Sequence, residues 1–166
     1  EQWQKDPHYC SYGQIQLPFH LRTQFPNAFT HYAPFAQSIC ESDDNSIVFI
    51  HAPIDDLNVP QSTQPFLELL LNILTAMNEQ QRTVYIHCWG GQGRTGLVSA
   101  CLLSIIWPHL DSEAILDLIQ VGYSSRIGAE DMPNSLSRSP QTEEQRNFVR
   151  KFVAQYSNSA QSKKTW

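Results

Sequence analysis

Ten consecutive residues, 87–96, combine a nucleophile, a flexible loop and a cation at a spacing that suits phosphate chemistry. They read His-Cys-Trp-Gly-Gly-Gln-Gly-Arg-Thr-Gly, with five residues between Cys88 and Arg94, three of them glycine. A thiolate is a strong nucleophile, and the planar fork of an arginine can hold two phosphate oxygens. Glycines let a loop turn its backbone N–H groups inward around an anion. The pattern predicts a phosphate site with a nucleophile beneath it.

The flanking segments must position this loop. A short apolar run at 84–86 predicts a buried strand, and the apolar residues from 97 to 106 predict a helix buried on nearly every side. The loop would then end at a helix N-terminus, where N–H groups and the helix dipole favour bound anions. The same field would lower the pKa of Cys88 and favour its thiolate.

Other elements follow from apolar spacing and capping residues. The β-branched run at 47–50 predicts another buried strand. Ser62 is expected to cap a helix with apolar residues at 66, 70, 73 and 77. Asp111 is expected to cap a helix that ends near Gly122. A capping box at 142–145 predicts the last helix, followed by a frayed tail after residue 157.

The order strand, helix, strand, glycine loop, helix indicates a βαβ unit. We therefore predict an α/β fold, with a central, mainly parallel sheet flanked by helices on both faces. The 166 residues are expected to form one domain. Within it we expect an irregular N-terminal segment over 1–46, a catalytic core over 47–156 and a tail over 157–166.

The segment from His87 to Thr95 resembles the signature of the protein tyrosine phosphatase superfamily, and it is most similar to the compact dual-specificity-like members. The resemblance implies a phosphatase-like fold, with Cys88 as nucleophile, Arg94 as phosphate clamp and Thr95 as a hydroxyl that steadies the leaving thiolate. It also implies that His87 shapes the loop and supports the thiolate, although taken alone His87 could equally be a buried structural histidine. The loop residues implied to bind phosphate are Trp89, Gly90, Gly91, Gln92, Gly93 and Arg94.

Expulsion of a side-chain oxygen from phosphate requires a general acid. The segment 53–60, Pro-Ile-Asp-Asp-Leu-Asn-Val-Pro, resembles the general-acid loop of the same superfamily. The spacing of this motif selects Asp56 as the general acid. Asp55 is the other candidate, and its alternative role is to stabilise a turn or to lie in solvent.

Hydrolysis of a phosphocysteine requires a positioned water. Residues 141–145 resemble the superfamily's glutamine loop, which implies that Gln141 and Gln145 hold that water and that Asp56 returns as base. For Gln145 a second role is equally well supported, because this residue is also the third helical residue of a capping box with Thr142.

The predicted function is hydrolysis of phosphotyrosine, phosphoserine/threonine or both on protein substrates, through a phosphocysteine, without metal or cofactor and with inhibition by vanadate. One alternative is a catalytically silent phosphate-binding module. Others are a phosphatase of inositol phosphates or phosphoinositides and a rhodanese-type sulfur transferase. The uncharged loop residues 89–93 and a net charge of −5 argue against highly charged inositol phosphates.

Composition and net charge limit the class of protein and the partners that it can bind. Hydrophobic residues make up 41% and charged residues 16% of the chain, which is typical of a globular protein. The negative net charge argues against nucleic acid, and the longest apolar stretch, 97–107, is too short to span a membrane. No cysteine spacing indicates a metal site: Cys101 reads as a core residue, and Cys10 and Cys40 could pair in an oxidising compartment. We expect a cytoplasmic monomer, while the start at Glu1 leaves a removed leader or export as an effector open.

Overall fold

The computed structural model describes residues 36–37, 47–88, 90–127 and 137–162, with side chains as far as residue 156. The chain divides into two compact units, 1–52 and 53–166, which are described separately, so the expectation of a single domain stays a prediction. In the first unit, residues 36–37 are helical and 47–50 are extended, with Val48 63% exposed. Cys10, Cys40, Trp89 and the irregular segment predicted over 1–46, apart from 36–37, lie outside the described residues.

Helices account for the regular structure of the second unit in its described part. They are α1 (Thr63–Asn78), α2 (Gly93–Ile106), α3 (Ser112–Ser124) and α4 (Glu143–Ser162). None of these helices combines the length and the apolar character that a membrane span requires. The helical half of the α/β prediction is therefore confirmed.

The helix starts follow the predicted caps more closely than the ends. Asp111 caps α3, and its Oδ1 accepts a hydrogen bond of 2.8 Å from the Ala114 N–H. Ser62 precedes α1 in an extended conformation, but its side chain makes no capping bond. The end of α3 lies close to the predicted position: the helix passes through Gly122, at a cost of about 1 kcal/mol, and ends two residues later at Ser124. The tail prediction is wrong in part, because α4 continues to Ser162.

Helix α2 lies at the centre of the core of this unit and packs against α1, α3 and α4. Cys101 on α2 is fully buried, as predicted for a core residue, and burial raises the pKa of its thiol. From α1, Phe66 meets Phe148 and Phe152 of α4 edge-on, at centroid distances of 5.6 and 6.0 Å. The burial of α2 stops at its C-terminal end, where Ile106 is 41% exposed.

No β-strand is assigned among the described residues, so the parallel sheet stays a prediction. The segment 84–86 is extended, and Val84 and Ile86 pack against the helical core. Tyr85 between them is 84% exposed, which contradicts the expectation of a strand buried on both faces. Alternate side chains of an extended segment point to opposite sides, and only one side of this segment faces the helices.

Gly96 and Gly122 both lie within helices but differ in the space around them, so substitutions at these two positions test the packing. A Cβ on Gly96 of α2 would collide with Ser139 Oγ and approach Pro140 to 3.3 Å, whereas a Cβ on Gly122 of α3 would meet nothing within 4 Å. We expect Gly96→Ala to lower the free energy of unfolding by about 1–3 kcal/mol through overpacking. Gly122→Ala should raise it by about 0.5–1 kcal/mol because alanine favours the helix. Urea unfolding measures both, and a Gly96→Ala variant as stable as the wild type would contradict this packing.

Candidate active site

The candidate site lies at the N-terminus of α2. Cys88 is half-buried, and the loop from Gly90 leads directly into the first turn of the helix at Gly93. Gly91 has a φ of 66°, in the left-handed region that favours glycine. The loop and helix therefore adopt the predicted order, with the predicted nucleophile placed where a helix dipole stabilises an anion.

The Cys88 thiol has a pKa below its ordinary value. Burial of the sulfur raises the pKa, but hydrogen bonds from the Thr95 hydroxyl, from the backbone N–H groups of Thr95 and Gly91, and the charge of Arg94 together outweigh it. The Thr95 hydroxyl is buried and forms no hydrogen bond of ordinary geometry among the described residues, so its effect on the pKa of Cys88 comes from its proximity to the sulfur. Thr95 and Arg94, both predicted to support Cys88, therefore favour its thiolate form.

Arg94 connects the loop to the segment predicted to supply the acid. Its Nη2 lies 3.0 Å from Asp56 Oδ1, and its Nη1 donates a hydrogen bond of 3.2 Å to the Ile54 carbonyl. The Arg94 side chain is 19% exposed and that of Asp56 is 69% exposed. Asp55 has a different position, because its carbonyl accepts a hydrogen bond from the Asn58 N–H and closes a turn. The geometry favours Asp56 over Asp55 as the acid that faces the loop.

Both predicted glutamines lie beside the start of α2. A Cβ on Gly93 would approach the Gln145 amide at 3.0 and 3.1 Å and Gln141 Oε1 at 3.3 Å, so only glycine lets these amides come so close. Gln145 is fully buried and forms the predicted capping box with Thr142. Its Nε2 also donates to the Asn58 carbonyl at 3.0 Å. The capping role of Gln145 is therefore confirmed, and its water-binding role stays a prediction.

Gln92, predicted to bind phosphate, uses its side chain to bond a remote segment of the chain. The side chain is buried and donates through Nε2 to the Arg138 carbonyl, and the Gln92 carbonyl accepts a hydrogen bond of 2.8 Å from Ser139 Oγ. These bonds tie the phosphate loop to a segment 46 and 47 residues away. Ser139 was missed in the sequence because a serine before a proline signals only a turn.

His87 is exposed, so its alternative interpretation as a buried histidine is wrong. Its Nδ1 lies 3.2 Å from the Cys88 carbonyl oxygen, and its ring stacks on Tyr85 at a centroid distance of 5.4 Å. The contact with the backbone of the nucleophile is compatible with the predicted role in shaping the loop.

A second arginine lies beside the loop. A Cβ on Gly91 would come within 3.9 Å of Arg126 Nη1. The Arg126 guanidinium lies 3.7 Å from the centre of the Tyr123 ring, and its Nε donates to the Tyr123 carbonyl, which fixes its orientation. The sequence around Arg126 carries no signal that this side chain would lie beside the phosphate loop.

Comparisons with known proteins agree with this chemistry. Residues 37–107 match the family described as a polymorphic toxin system, DSP-PTPase phosphatase. A protein of Invertebrate iridescent virus 3 that carries the name of a tyrosine phosphatase is 32% identical over 115 residues, which cover 65% of this chain and 45% of that protein. Cyclin-dependent kinase inhibitor 3 of Rattus norvegicus is 29% identical over 112 residues, which cover 68% of this chain and 45% of that protein. The chain thus spans less than half the length of these relatives. No solved structure matches the chain significantly.

The contribution of Thr95 to the thiolate can be measured by alkylation. Only the thiolate reacts with iodoacetate, so the rate falls as the pH drops through the pKa of Cys88. In Thr95→Val the lost hydrogen bond should move that pKa toward its ordinary value and slow alkylation near about pH 6 by roughly tenfold. Thr95→Ser retains the hydroxyl and serves as control. An unchanged pH profile in Thr95→Val would show that the hydroxyl does not act on the sulfur.

Proposed function

We propose that this chain, whose residues 37–107 match the family described as DSP-PTPase phosphatase, hydrolyses phosphate esters on protein side chains through a phosphocysteine at Cys88. One observation supports this more than any other: Arg94 joins the thiolate loop to Asp56 across a distance of 3.0 Å. A nucleophile, an oxyanion clamp and an acid therefore lie around one point, although the acid precedes the clamp by 38 residues.

The first half-reaction transfers the phosphoryl group to sulfur. The Cys88 thiolate attacks phosphorus while the ester P–O bond breaks, and Asp56, in its protonated form, gives its proton to the departing oxygen. Arg94 and the loop N–H groups hold the equatorial oxygens, on which negative charge develops in the transition state. The products of this step are the free hydroxyl of the substrate and phosphocysteine.

The second half-reaction returns the enzyme to its starting state. Water attacks phosphorus and loses a proton to Asp56, now a carboxylate, while the S–P bond breaks and the electron pair returns to Cys88. The Thr95 hydroxyl stabilises this leaving thiolate by the same hydrogen bond that lowers the pKa of Cys88 at rest. The Gln141 amide, beside Gly93, is in a suitable place to orient the water.

The substrate class follows from charge and from the relatives. The name of the viral relative favours phosphotyrosine as the substrate. The same mechanism can also hydrolyse phosphoserine or phosphothreonine. The described part of the loop carries no charge of its own before Arg94, which disfavours inositol phosphates as substrates. The description of the matched family as part of a toxin system favours export as an effector over a cytoplasmic role.

The activity is tested with purified protein and a panel of esters: phosphotyrosine, phosphoserine and phosphothreonine peptides, an aryl phosphate and an inositol phosphate. We expect phosphate release in the presence of a chelator, inhibition by vanadate, and a loss of at least about 10³-fold in Cys88→Ser. Phosphopeptide binding without release would instead identify a silent binding module. Turnover of thiosulfate would identify a sulfur transferase. Activity that survives Cys88→Ser would contradict the proposal.

The two adjacent aspartates provide a matched pair of variants. Asp56→Asn removes the acid and should lower kcat by about 10²–10⁴-fold on esters with poor leaving groups. It also removes the carboxylate that pairs with Arg94, so vanadate should bind several-fold more tightly. Asp55→Asn leaves the backbone turn intact and should change neither quantity. Equal losses in both variants would show that the acid has been misassigned.

A further inference from the structure

We propose that Thr142 and Gln145, at the N-terminus of α4, are positioning residues that hold the general-acid loop, residues 53–60, in the conformation that presents Asp56 to the site. This inference rests on the proposed function and extends it. The sequence assigns these two residues to a helix cap and to water binding. The structure shows both side chains bonded to the acid loop itself.

Two consecutive carbonyl groups of the acid loop accept hydrogen bonds from these two residues. Thr142 Oγ1 donates to the Leu57 carbonyl at 3.3 Å, and Gln145 Nε2 donates to the Asn58 carbonyl at 3.0 Å. The partners are 85 and 87 residues apart in the chain. Both carbonyls follow immediately after Asp56, so their position limits where the carboxylate can go.

The backbone of the loop is strained at the same place. Leu57 has a φ of 63°, a left-handed conformation that costs a residue with a Cβ about 1–2 kcal/mol. Such a conformation persists only where surrounding contacts hold it. A short turn, closed by the Asn58 N–H and the Asp55 carbonyl, provides one such contact, and the two bonds from α4 provide the others.

The donor groups themselves are held rigidly. Gln145 Oε1 accepts from the Thr142 N–H and the Gln145 N–H donates to Thr142 Oγ1, so each side chain fixes the other. Gln145 is fully buried, and its side-chain amide lies against Gly93 at the start of α2. The same amide therefore contacts the phosphate loop on one side and the acid loop on the other. This arrangement sets the spacing between the acid and the bound phosphate.

The decisive variant is Thr142→Val, which keeps the shape of the side chain and removes its hydroxyl. We expect faster backbone hydrogen exchange over 54–59, because a held loop opens more often when its anchors are lost. We also expect kcat to fall by about two- to tenfold on esters with poor leaving groups, and much less on esters whose leaving group needs no proton. Thr142→Ser restores the hydroxyl and should restore both readouts. Gln145→Glu, which removes the Nε2 donor, should behave like Thr142→Val.

Two controls separate this role from others. Asp111→Ala removes the cap of α3 and weakens a helix N-terminus elsewhere, so it should lower stability without altering the leaving-group dependence. In an Asp56→Asn background, Thr142→Val should cost nothing further, because the anchor acts through the acid. Alkylation of Cys88 should stay unchanged in Thr142→Val.

The inference is overturned if Thr142→Val leaves hydrogen exchange over 54–59 unchanged. It is also overturned if Thr142→Val lowers kcat by the full amount in the Asp56→Asn background. Accumulation of phosphocysteine in Thr142→Val would overturn it as well. Either result would assign these residues to water binding. Absence of phosphatase activity in the wild type would reject the proposed function alone. The exchange measurement would then still decide whether these residues hold the loop.

Discussion

A half-buried sulfur whose pKa lies below its ordinary value is the feature around which this site is arranged. Withdrawal of a thiolate from water raises its pKa, so a nucleophile at Cys88 requires hydrogen bonds and positive charge nearby to offset that cost. The start of α2 provides backbone N–H groups, Thr95 provides a hydroxyl and Arg94 provides a cation. Such groups also favour a bound phosphate dianion, so the lowered pKa of Cys88 and the proposed recognition of phosphate have one physical origin.

The loop that makes this field has little structure of its own, and distant segments hold it in place. Ser139 and the Arg138 carbonyl hold Gln92, while the Gln145 amide packs on Gly93. Glycine is required at two helical positions for this reason, since a side chain at 93 or 96 would push these segments away. The glycines thus serve the approach of other chain segments as well as the turn of the loop.

The sequence was sufficient where the chemistry is local. The spacing from Cys88 to Arg94 and the cap at Asp111 depend on neighbouring residues, and the structure agrees with both. The choice of Asp56 over Asp55 came from a motif register, and the ion pair with Arg94 favours the same choice. Bonds that join remote segments could not be predicted, because nothing near Ser139 specifies a partner at Gln92. The strand at 84–86 was expected to be buried on both faces, since apolar composition alone does not distinguish one covered face from two.

The contact between Arg94 and Asp56 has different consequences before and after substrate binds. At rest it neutralises two opposite charges, and because the Asp56 side chain is 69% exposed, the pair is well solvated and contributes little to stability. A phosphate dianion competes for the same guanidinium with two oxygens and more charge, and it repels the carboxylate. In the proposed mechanism, entry of the substrate therefore displaces Asp56 from the arginine and leaves its side chain available to the leaving-group oxygen. A weak resting pair is thus better suited to catalysis than a strong one, because the substrate can exchange it at little cost.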